Sequence, residues 1–276
     1  MHWPLTGFDL LARIDRRRRH RRFPIRFLRY WFCRHALAEL HARLGRPLNV
    51  LEVGIADGRM LGFLGGPPNQ SGDFSRPDWI GRWDGLDLGM PPEAVRRYSY
   101  SGYIQANVEA PFPCERRYDA IVLLHVLEHL FEPDATMTRL AGLLNDGGLL
   151  LGGSPTMPAR LARFWERLLR FRNGHRDATI HRHVSVISPD RLIHFAQQNG
   201  MKVQLLTGAF LCRWTGIFLE NTERWLRANL SWGARFPSLG GEIYFCLRKE
   251  ASKPAPAITA LPIPCRAFHP VHPVLS

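Results

Sequence analysis

Residues 48–59, LNVLEVGIADGR, constrain the fold of this chain more than any other stretch. The first part is an apolar, β-branched run typical of a buried strand, and it carries one acidic side chain, Glu52, near its end. Small residues follow at alternate positions, Gly54, Ala56 and Gly58, before apolar residues resume as in a helix. Small residues let a ligand lie against the backbone, and the first N–H groups of a helix face it. The stretch therefore predicts a strand, a ligand-binding turn and a helix N-terminus; the alternative is a tight turn that binds nothing.

Strand-like and helix-like segments alternate along the rest of the chain. The segment 118–124 is apolar throughout after Asp119, as in a central parallel strand, and Ser188-Pro189-Asp190 is a capping pattern that opens a helix. This alternation predicts the α/β class, with a Rossmann-like, seven-stranded, mostly parallel sheet and helices on both faces. The predicted strands are 48–53, 83–88, 103–107, 118–124, 149–151, 203–206 and 241–247; the predicted helices are 24–44, one after Gly58, one opened by Pro91-Pro92-Glu93, one over 137–144, one over 189–198 and one around 225–230.

Composition narrows the class of protein. The chain has 276 residues, of which 45% are hydrophobic, enough for a sizeable core. The 5 cysteines are scattered without a CxxC pair, which argues against a disulfide framework and against a zinc site. No apolar run reaches the length of a membrane span and no signal peptide is evident. We therefore expect a protein of a reducing compartment, the cytoplasm.

Polar residues fall at the predicted ends of neighbouring strands. Asp87 ends the second strand, Asn107 and Val108 follow the third, and His125 follows the fourth. In open parallel sheets, ligands bind outside the carboxyl ends of the strands, and an acidic residue at the end of the second strand can accept both ribose hydroxyls of a nucleoside. The amide of Asn107 can read the edge of an adenine beside it. Since the G-x-G-x-x-G spacing is absent, a dinucleotide such as NAD is disfavoured.

Five motifs occur in order at these strand ends: LEVGIADGR, LDLG, NVEAPFP, YDAIVLLHVLEHL and LLNDGGLLLGGSP. With them, residues 48–207 resemble the class I S-adenosylmethionine-dependent methyltransferases, of the type that acts on small molecules or glycans. The resemblance implies S-adenosyl-L-methionine as the cofactor. It also implies that Glu52 and the Gly54 backbone hold the amino and carboxylate ends of the methionine moiety. The cofactor-binding residues predicted in this way are Glu52, Gly54, Ala56, Gly58, Asp87, Asn107, Val108 and His125.

Two features depart from the family pattern or compete with it. Ala56 stands where the family usually has its middle glycine, so we expect tolerated binding with some loss of affinity. Asp84 competes with Asp87 for the ribose, but it lies mid-strand. Methyl transfer from a sulfonium needs positioning and exclusion of water more than side-chain chemistry. His125 and His129 are nevertheless the candidate catalytic residues, with His125 ranked first as a cofactor contact.

The segment after the fifth strand is the predicted acceptor lid. Residues 155–187 carry seven arginines with aromatic residues between them, which suits an acidic or phosphorylated glycan acceptor; the alternative is a solvated amphipathic helix. His181 and His183 have metal-ligand spacing, but no cysteine or carboxylate pair accompanies them in the sequence. We therefore predict no metal site. The domain prediction is a basic arm and leading helix at 1–46, the methyltransferase domain at 47–250 with the lid inserted, and a disordered, proline-rich tail at 251–276.

The predicted function is methyl transfer to a small-molecule or glycan acceptor, with O-methylation favoured. Nucleic-acid methylation is the rival, because the N-terminus is basic, although no Asn-Pro-Pro-Tyr-type motif follows the fourth strand. A further alternative is a catalytically silent binding protein, for which Ala56 is the only indication. Residues 1–46 hold twelve arginines against three acidic residues, a net charge of +9, so we predict that this arm tethers the protein to an anionic membrane surface. The alternative is a solvated arm and a helix that covers the domain.

Overall fold

A computed structural model of the chain describes residues 24–56, 58–65, 76–89, 96–173, 182–209 and 223–251. These residues form a seven-stranded sheet in the order β3-β2-β1-β4-β5-β7-β6. The strands are β1 (Leu48–Val53), β2 (Ile80–Asp87), β3 (Gly102–Gln105), β4 (Tyr118–Leu124), β5 (Leu144–Pro155), β6 (Met201–Gly208) and β7 (Glu242–Lys249).

Helices connect the strands where the sequence has helical periodicity. They are α1 (Pro24–Leu44), α2 (Arg59–Leu64), α3 (Pro133–Gly142), α4 (Ala159–Asn173), α5 (Pro189–Gln198) and α6 (Glu223–Arg235), with 3₁₀ turns at Leu127–His129 and Pro237–Leu239. The Ser188 hydroxyl oxygen accepts from the Arg191 amide at 3.3 Å and caps α5, as the capping pattern predicts. No helix within the described ranges has the length and apolar composition needed to cross a membrane.

The sheet is mostly parallel, which confirms the predicted fold class. β1 pairs in parallel with β2 and β4, and β7 runs antiparallel to both of its neighbours, β5 and β6. The chain leaves β1 toward β2 and β3, and then returns to place β4 on the other side of β1. This reversal opens a crevice at the carboxyl ends of β1 and β4, the place where open α/β sheets bind ligands.

Two apolar layers cover the two faces of the sheet. Alternate residues of β1 divide between them: Val50 packs with residues of α1 and α2, whereas Leu51 and Val53 pack with residues of α3 and α5. Trp83, which has no exposed surface, anchors the first layer. Truncating so large a buried side chain costs about 3–5 kcal/mol, so W83A would threaten the fold that holds the crevice.

The structure corrects several boundaries, among them that of the predicted helix 137–144, which is Pro133–Gly142. β2 begins at Ile80, so the predicted loop 65–82 ends earlier, because Leu48 pairs with Ile80. β3 is Gly102–Gln105 instead of 103–107. β5 begins at Leu144 instead of Leu149, before the predicted turn at 145–148. Leu144 pairs with Tyr118 and Leu149 with Ala120, so residues 145–148 interrupt the register as a bulge within the strand, with Gly147 at φ +76°. The predicted helix opening at Pro91, the arm at 1–22 and the tail beyond 251 lie outside the described residues.

Candidate active site

The turn after β1 has a left-handed backbone at each of its small residues. Gly54, Ala56 and Gly58 have φ angles of +73°, +51° and +72°. The Gly54 amide donates to the Leu86 carbonyl at 2.8 Å, which ties the turn to the end of β2. A Cβ atom on Gly54 would lie 2.4 Å from Val126 Cγ2, so the turn also packs tightly against the segment after β4. Only glycine fits at 54 without displacing that neighbour.

Asp87 lies at the end of β2, as predicted, and faces this turn. One carboxylate oxygen accepts from the Ala56 amide at 3.1 Å and the other from the Gly89 amide at 3.2 Å. The side chain is half-buried, and each oxygen retains a second lone pair. The competing Asp84 is buried elsewhere: it accepts from Arg82 Nε at 2.7 Å and from the Tyr118 hydroxyl at 3.1 Å. The geometry therefore favours Asp87 as the carboxylate of the crevice.

The residues after β3 reach the same edge of the sheet. The Ala106 amide donates to the Asp87 carbonyl at 3.0 Å, so the ends of β2 and β3 lie side by side. Asn107 is exposed, and its amide oxygen accepts from the Glu109 amide at 2.9 Å. Val108 is buried and offers an apolar contact next to the crevice. The structure thus brings Asp87, Asn107 and Val108 together.

Two aromatic side chains hold the carboxylate of Glu52. Its side chain is buried on the α1 side of the sheet, and Oε2 accepts from Trp83 Nε1 and from the Tyr100 hydroxyl, both at 2.8 Å. Sequence reasoning missed these two partners, since neither is near Glu52 in the chain. The carboxylate therefore links the end of β1 to Trp83 and Tyr100. Direct contact of Glu52 with a cofactor stays a prediction.

His125 has a left-handed backbone, with φ +58°, and lies between two buried carboxylates. Its Nδ1 is 3.0 Å from Glu128 Oε1, and its Nε2 is 3.1 Å from Glu242 Oε1. Burial alone would lower the pKa of the imidazole, but the two carboxylates outweigh burial and raise that pKa to about 9. A catalytic role for His125 stays a prediction. Glu242 was missed because it opens β7, far along the chain, with no local pattern to mark it.

The 3₁₀ turn after β4 joins the candidate site to the segment before α5. The Glu128 carboxylate accepts from the Ser154 hydroxyl at 2.7 Å and contacts His125. Burial raises the pKa of this carboxyl, but His125 and Ser154 outweigh burial and lower it. The His129 ring lies edge-on to the ring of His183, with the centroids 5.0 Å apart. His181, the other histidine of the predicted pair, lies outside the described residues.

The donor set of the crevice fits the cofactor that the motifs imply. Asp87 offers a carboxylate suited to vicinal hydroxyls, Asn107 offers an amide suited to a nucleobase edge, and the glycine turn leaves room for a ligand beside the backbone. A nucleoside joined to an amino acid matches this order of groups from β3 across to β1.

Comparison with known proteins indicates the family to which the chain belongs. The family model described as "Methyltransferase domain" matches residues 18–206. No curated protein sequence matches the chain.

Among solved structures, the N-methyltransferase NodS from Bradyrhizobium japonicum WM9 in complex with S-adenosyl-L-homocysteine is 16% identical, with a TM-score of 0.48, over 89% of this chain and 94% of that one. A putative sarcosine dimethylglycine methyltransferase from Galdieria sulphuraria is 16% identical, with a TM-score of 0.49, over 80% of this chain and 86% of that one. The CurJ carbon methyltransferase is 16% identical, with a TM-score of 0.45; 75% of this chain is covered, but only 49% of that one.

Proposed function

Because the chain belongs to the methyltransferase domain family, as the match over residues 18–206 shows, we propose that it is an S-adenosylmethionine-dependent methyltransferase. The proposed acceptor is a small molecule or a glycan, and the proposed reaction is O-methylation. The observation that carries the proposal is the pairing of Asp87 with the left-handed turn at Ala56, at the reversal point of the sheet.

The proposed cofactor lies along the crevice from β3 to β4. Asp87 would accept hydrogen bonds from the ribose hydroxyls, while Asn107 and Val108 would flank the adenine. The backbone at Gly54 and the positive-φ turn up to Gly58 line the methionine moiety. Bound in this way, the cofactor supplies an electrophilic methyl carbon on a sulfonium. In the reaction, the acceptor oxygen would receive this methyl group and would give up its proton to solvent, while the sulfur would keep the electron pair of the broken bond.

The position of the acceptor follows from that of the cofactor. The methyl group would point toward the ends of β4 and β5, where the segment 182–187 crosses the 3₁₀ turn. α4 follows β5 directly and carries the arginines that favour an acidic or phosphorylated acceptor. Glu166 anchors this helix, because its carboxylate accepts from the Val186 amide and pairs with Arg191 at 3.0 Å.

Calorimetric titration of the full-length chain with S-adenosylmethionine and with NAD tests the cofactor. Binding of the first and not of the second is expected; binding of NAD alone at millimolar ligand would overturn the proposal. Mass spectrometry of an acceptor library with labelled cofactor then tests the acceptor. Label on RNA alone would favour the nucleic-acid alternative, and cofactor binding without any transfer would favour a silent binding protein.

We propose an anionic membrane surface as a partner, at which the enzyme acts as a peripheral protein. The basic arm that first suggested this lies outside the described residues, but α4 supports the idea independently. One face of α4, with Ala162 and Leu169, is buried against the domain. Beside this buried face, a second face of α4 exposes large apolar side chains, and a third face carries exposed arginines. Helices that lie in the plane of a membrane have this arrangement. The exposed apolar residues are Leu161, Phe164, Trp165, Leu168 and Phe171; the exposed arginines are Arg160, Arg163, Arg167 and Arg170.

Co-sedimentation with phosphatidylserine-containing and with purely zwitterionic liposomes tests this partner. At low salt we expect sedimentation with the anionic liposomes, weakened both by deletion of residues 1–22 and by the double variant F164S/F171S. The solvent-facing substitution I193S on α5, an exposed apolar residue away from the arginines, is the matched control and should change nothing. Failure of the full-length chain to sediment at low salt would contradict the proposed partner; a concentration-dependent dimer that F164S/F171S abolishes would assign the surface to a second copy instead.

A further inference from the structure

Two neighbouring side chains and a third from a distant part of the sequence converge beside the candidate active site. Glu128 and His129 belong to the 3₁₀ turn after β4, and His183 belongs to the segment before α5. One potential metal-ligand atom from each lies within 4.8 Å of the other two. Glu128 is buried, His129 is half-buried and His183 is exposed, so the cluster opens from the protein interior toward solvent.

Backbone hydrogen bonds hold the two segments together. The amides of Val184 and Ser185 both donate to the Glu128 carbonyl, at 2.8 and 3.1 Å. The Ser185 hydroxyl donates to the Leu130 carbonyl at 2.6 Å, and this bond is buried. These bonds strap the segment across the 3₁₀ turn and fix the position of His183 relative to His129. The backbone therefore holds the segment that carries His183 against the turn that carries Glu128 and His129.

The hydrogen bonds of the cluster suit metal ligation. His129 Nδ1 lies 3.1 Å from the Arg182 carbonyl oxygen. Because a carbonyl oxygen can only accept, Nδ1 carries the proton in the neutral ring, and the lone pair of the ring is on Nε2. Ligating histidines in proteins are oriented in this way, by a carbonyl or carboxylate on the other nitrogen. The Glu128 carboxylate is oriented in a similar manner by the Ser154 hydroxyl at 2.7 Å.

The cluster is open to an ion from solvent. The exposed side of His183 leaves a path of entry toward the buried carboxylate of Glu128.

We propose that Glu128, His129 and His183 form a binding site for a divalent transition-metal ion of the Zn²⁺ or Co²⁺ type. Two imidazoles and one carboxylate are the protein ligands of many catalytic zinc sites, in which a further position stays open to water or substrate. The site lies at the acceptor end of the crevice, so this inference rests on the proposed function. It narrows the acceptor to compounds with an oxygen that can ligate the ion, since such an ion lowers the pKa of a hydroxyl that reaches it.

This proposal departs from the prediction of no metal site. That prediction weighed His181 with His183 and found no cysteine or carboxylate pair accompanying them in the sequence. The carboxylate and the second imidazole come from Glu128 and His129. These residues belong to the motif YDAIVLLHVLEHL, which the family resemblance explains as the end of the fourth strand. Sequence spacing alone has no means of joining the two segments.

Titration of the full-length chain with Co²⁺, followed by its visible absorption, tests the site without any cofactor or acceptor. We expect one ion per chain and absorption bands of a low-coordinate Co²⁺ site, and Zn²⁺ should displace the Co²⁺. The H129A and H183A variants should each weaken binding at least tenfold. H194A removes an exposed histidine of α5 outside the cluster and is the matched control, with binding unchanged.

The outcomes are separable from those of the cofactor titration. Absence of a one-to-one Co²⁺ or Zn²⁺ complex would overturn the metal site, as would binding that H129A and H183A leave unaffected. Binding that H194A weakens as much as H183A would mark adventitious surface histidines, and would also overturn the proposal. Since His183 is exposed, H183A is expected to keep the thermal unfolding midpoint of the parent chain. If S-adenosylmethionine fails to bind while Co²⁺ binds as expected, the proposed function fails and the metal site stands.

Discussion

The two ends of the sheet use carboxylates in opposite ways. At the amino end, Asp119 is the second residue of β4 and is buried. It accepts two hydrogen bonds from Arg46, at 2.7 and 2.8 Å, one from the Asn49 amide at 2.9 Å and one from Asn145 at 2.8 Å. At the carboxyl end, Asp87 is half-buried and accepts from two backbone amides at 3.1 and 3.2 Å. The first carboxylate is surrounded by side chains that hold it, whereas the second faces a turn and solvent.

The backbone of the carboxyl end is strained at the candidate site. Ala56 and His125, with φ of +51° and +58°, both lie there, whereas Ser99, with φ of +51°, lies before β3 at the amino end. Each left-handed residue other than glycine costs about 1–2 kcal/mol, and such costs persist where function requires the geometry. The amino end therefore contributes stability, while the carboxyl end gives up some stability to shape a site. Substitutions at each end of the sheet test this comparison.

The largest expected effect is on cofactor affinity, from D87A. Loss of the ribose hydroxyl bonds to a charged acceptor removes about 3 kcal/mol, which corresponds to roughly a hundredfold weaker binding of S-adenosylmethionine. The stability of the chain should change by no more than about 1 kcal/mol. Asp87 is half-buried, so water can replace its carboxylate as the hydrogen-bond acceptor of the two backbone amides. Calorimetric titration and urea unfolding measure the two quantities. An unchanged affinity would remove Asp87 from the site and end the comparison.

D119A should give the opposite pattern. Removing the buried partner of Arg46 and of two further donors costs about 3 kcal/mol of unfolding free energy, whereas the affinity of the folded chain for S-adenosylmethionine should be unchanged. Burial raises the pKa of Asp119, but its hydrogen bonds with Arg46, Asn49 and Asn145 outweigh burial and lower that pKa. The stabilisation is therefore fully present above the unfolded pKa of about 4 and is lost as the pH falls through the lower, folded pKa.

Urea unfolding across the acid range gives the sharper form of this prediction. The difference between the parent chain and D119A should shrink once the pH falls below about 4, because the parent then loses what the variant already lacks. A difference that stays constant down to the acid unfolding of the parent chain would mean that packing of the side chain, and not its charge, stabilises the amino end.

The comparison also explains what could be predicted from the sequence. The bounds of β1, β4, α1 and α5 follow from local signals, namely apolar runs, the Gly45-Arg46-Pro47 stop after α1 and the Ser188 cap, and the structure has them at the predicted residues. The early beginning of β2 and the full length of β5 depend on neighbouring strands, which local periodicity does not register. In the candidate site, the order of residues along the carboxyl edge was predictable because each follows a strand.

The partners of those residues were not predictable. Glu242 reaches His125 from β7, and His183 reaches Glu128 and His129 from the far side of α4. Both contacts depend on the crossover connections, which bring segments that are distant in the sequence to one edge of the sheet. The partners of Glu52 were likewise hidden from the sequence: its carboxylate accepts from Trp83 and Tyr100, while its predicted contact with a cofactor stays a prediction.

The smallest effect, and the finest test of the carboxyl end, comes from A56G. A glycine would relieve the left-handed strain of about 1–2 kcal/mol, but it would also cost about 0.5–1 kcal/mol through the greater freedom of the unfolded chain. The net result should be a gain of about 0.5 kcal/mol in urea unfolding. S99G is the matched control, since Ser99 has the same φ of +51° and is exposed outside the turn. Both variants should gain similar stability, but only A56G removes a methyl group from the proposed cofactor crevice.

If the Ala56 methyl merely lines the crevice, the affinity for S-adenosylmethionine changes less than threefold; if it blocks the crevice, A56G raises the affinity tenfold or more while S99G leaves it unchanged. A loss of stability in A56G, with the expected gain in S99G, would show that the hydrogen bond from this amide to Asp87 needs the stiffer alanine, and that the carboxyl end is less strained than its φ angles indicate.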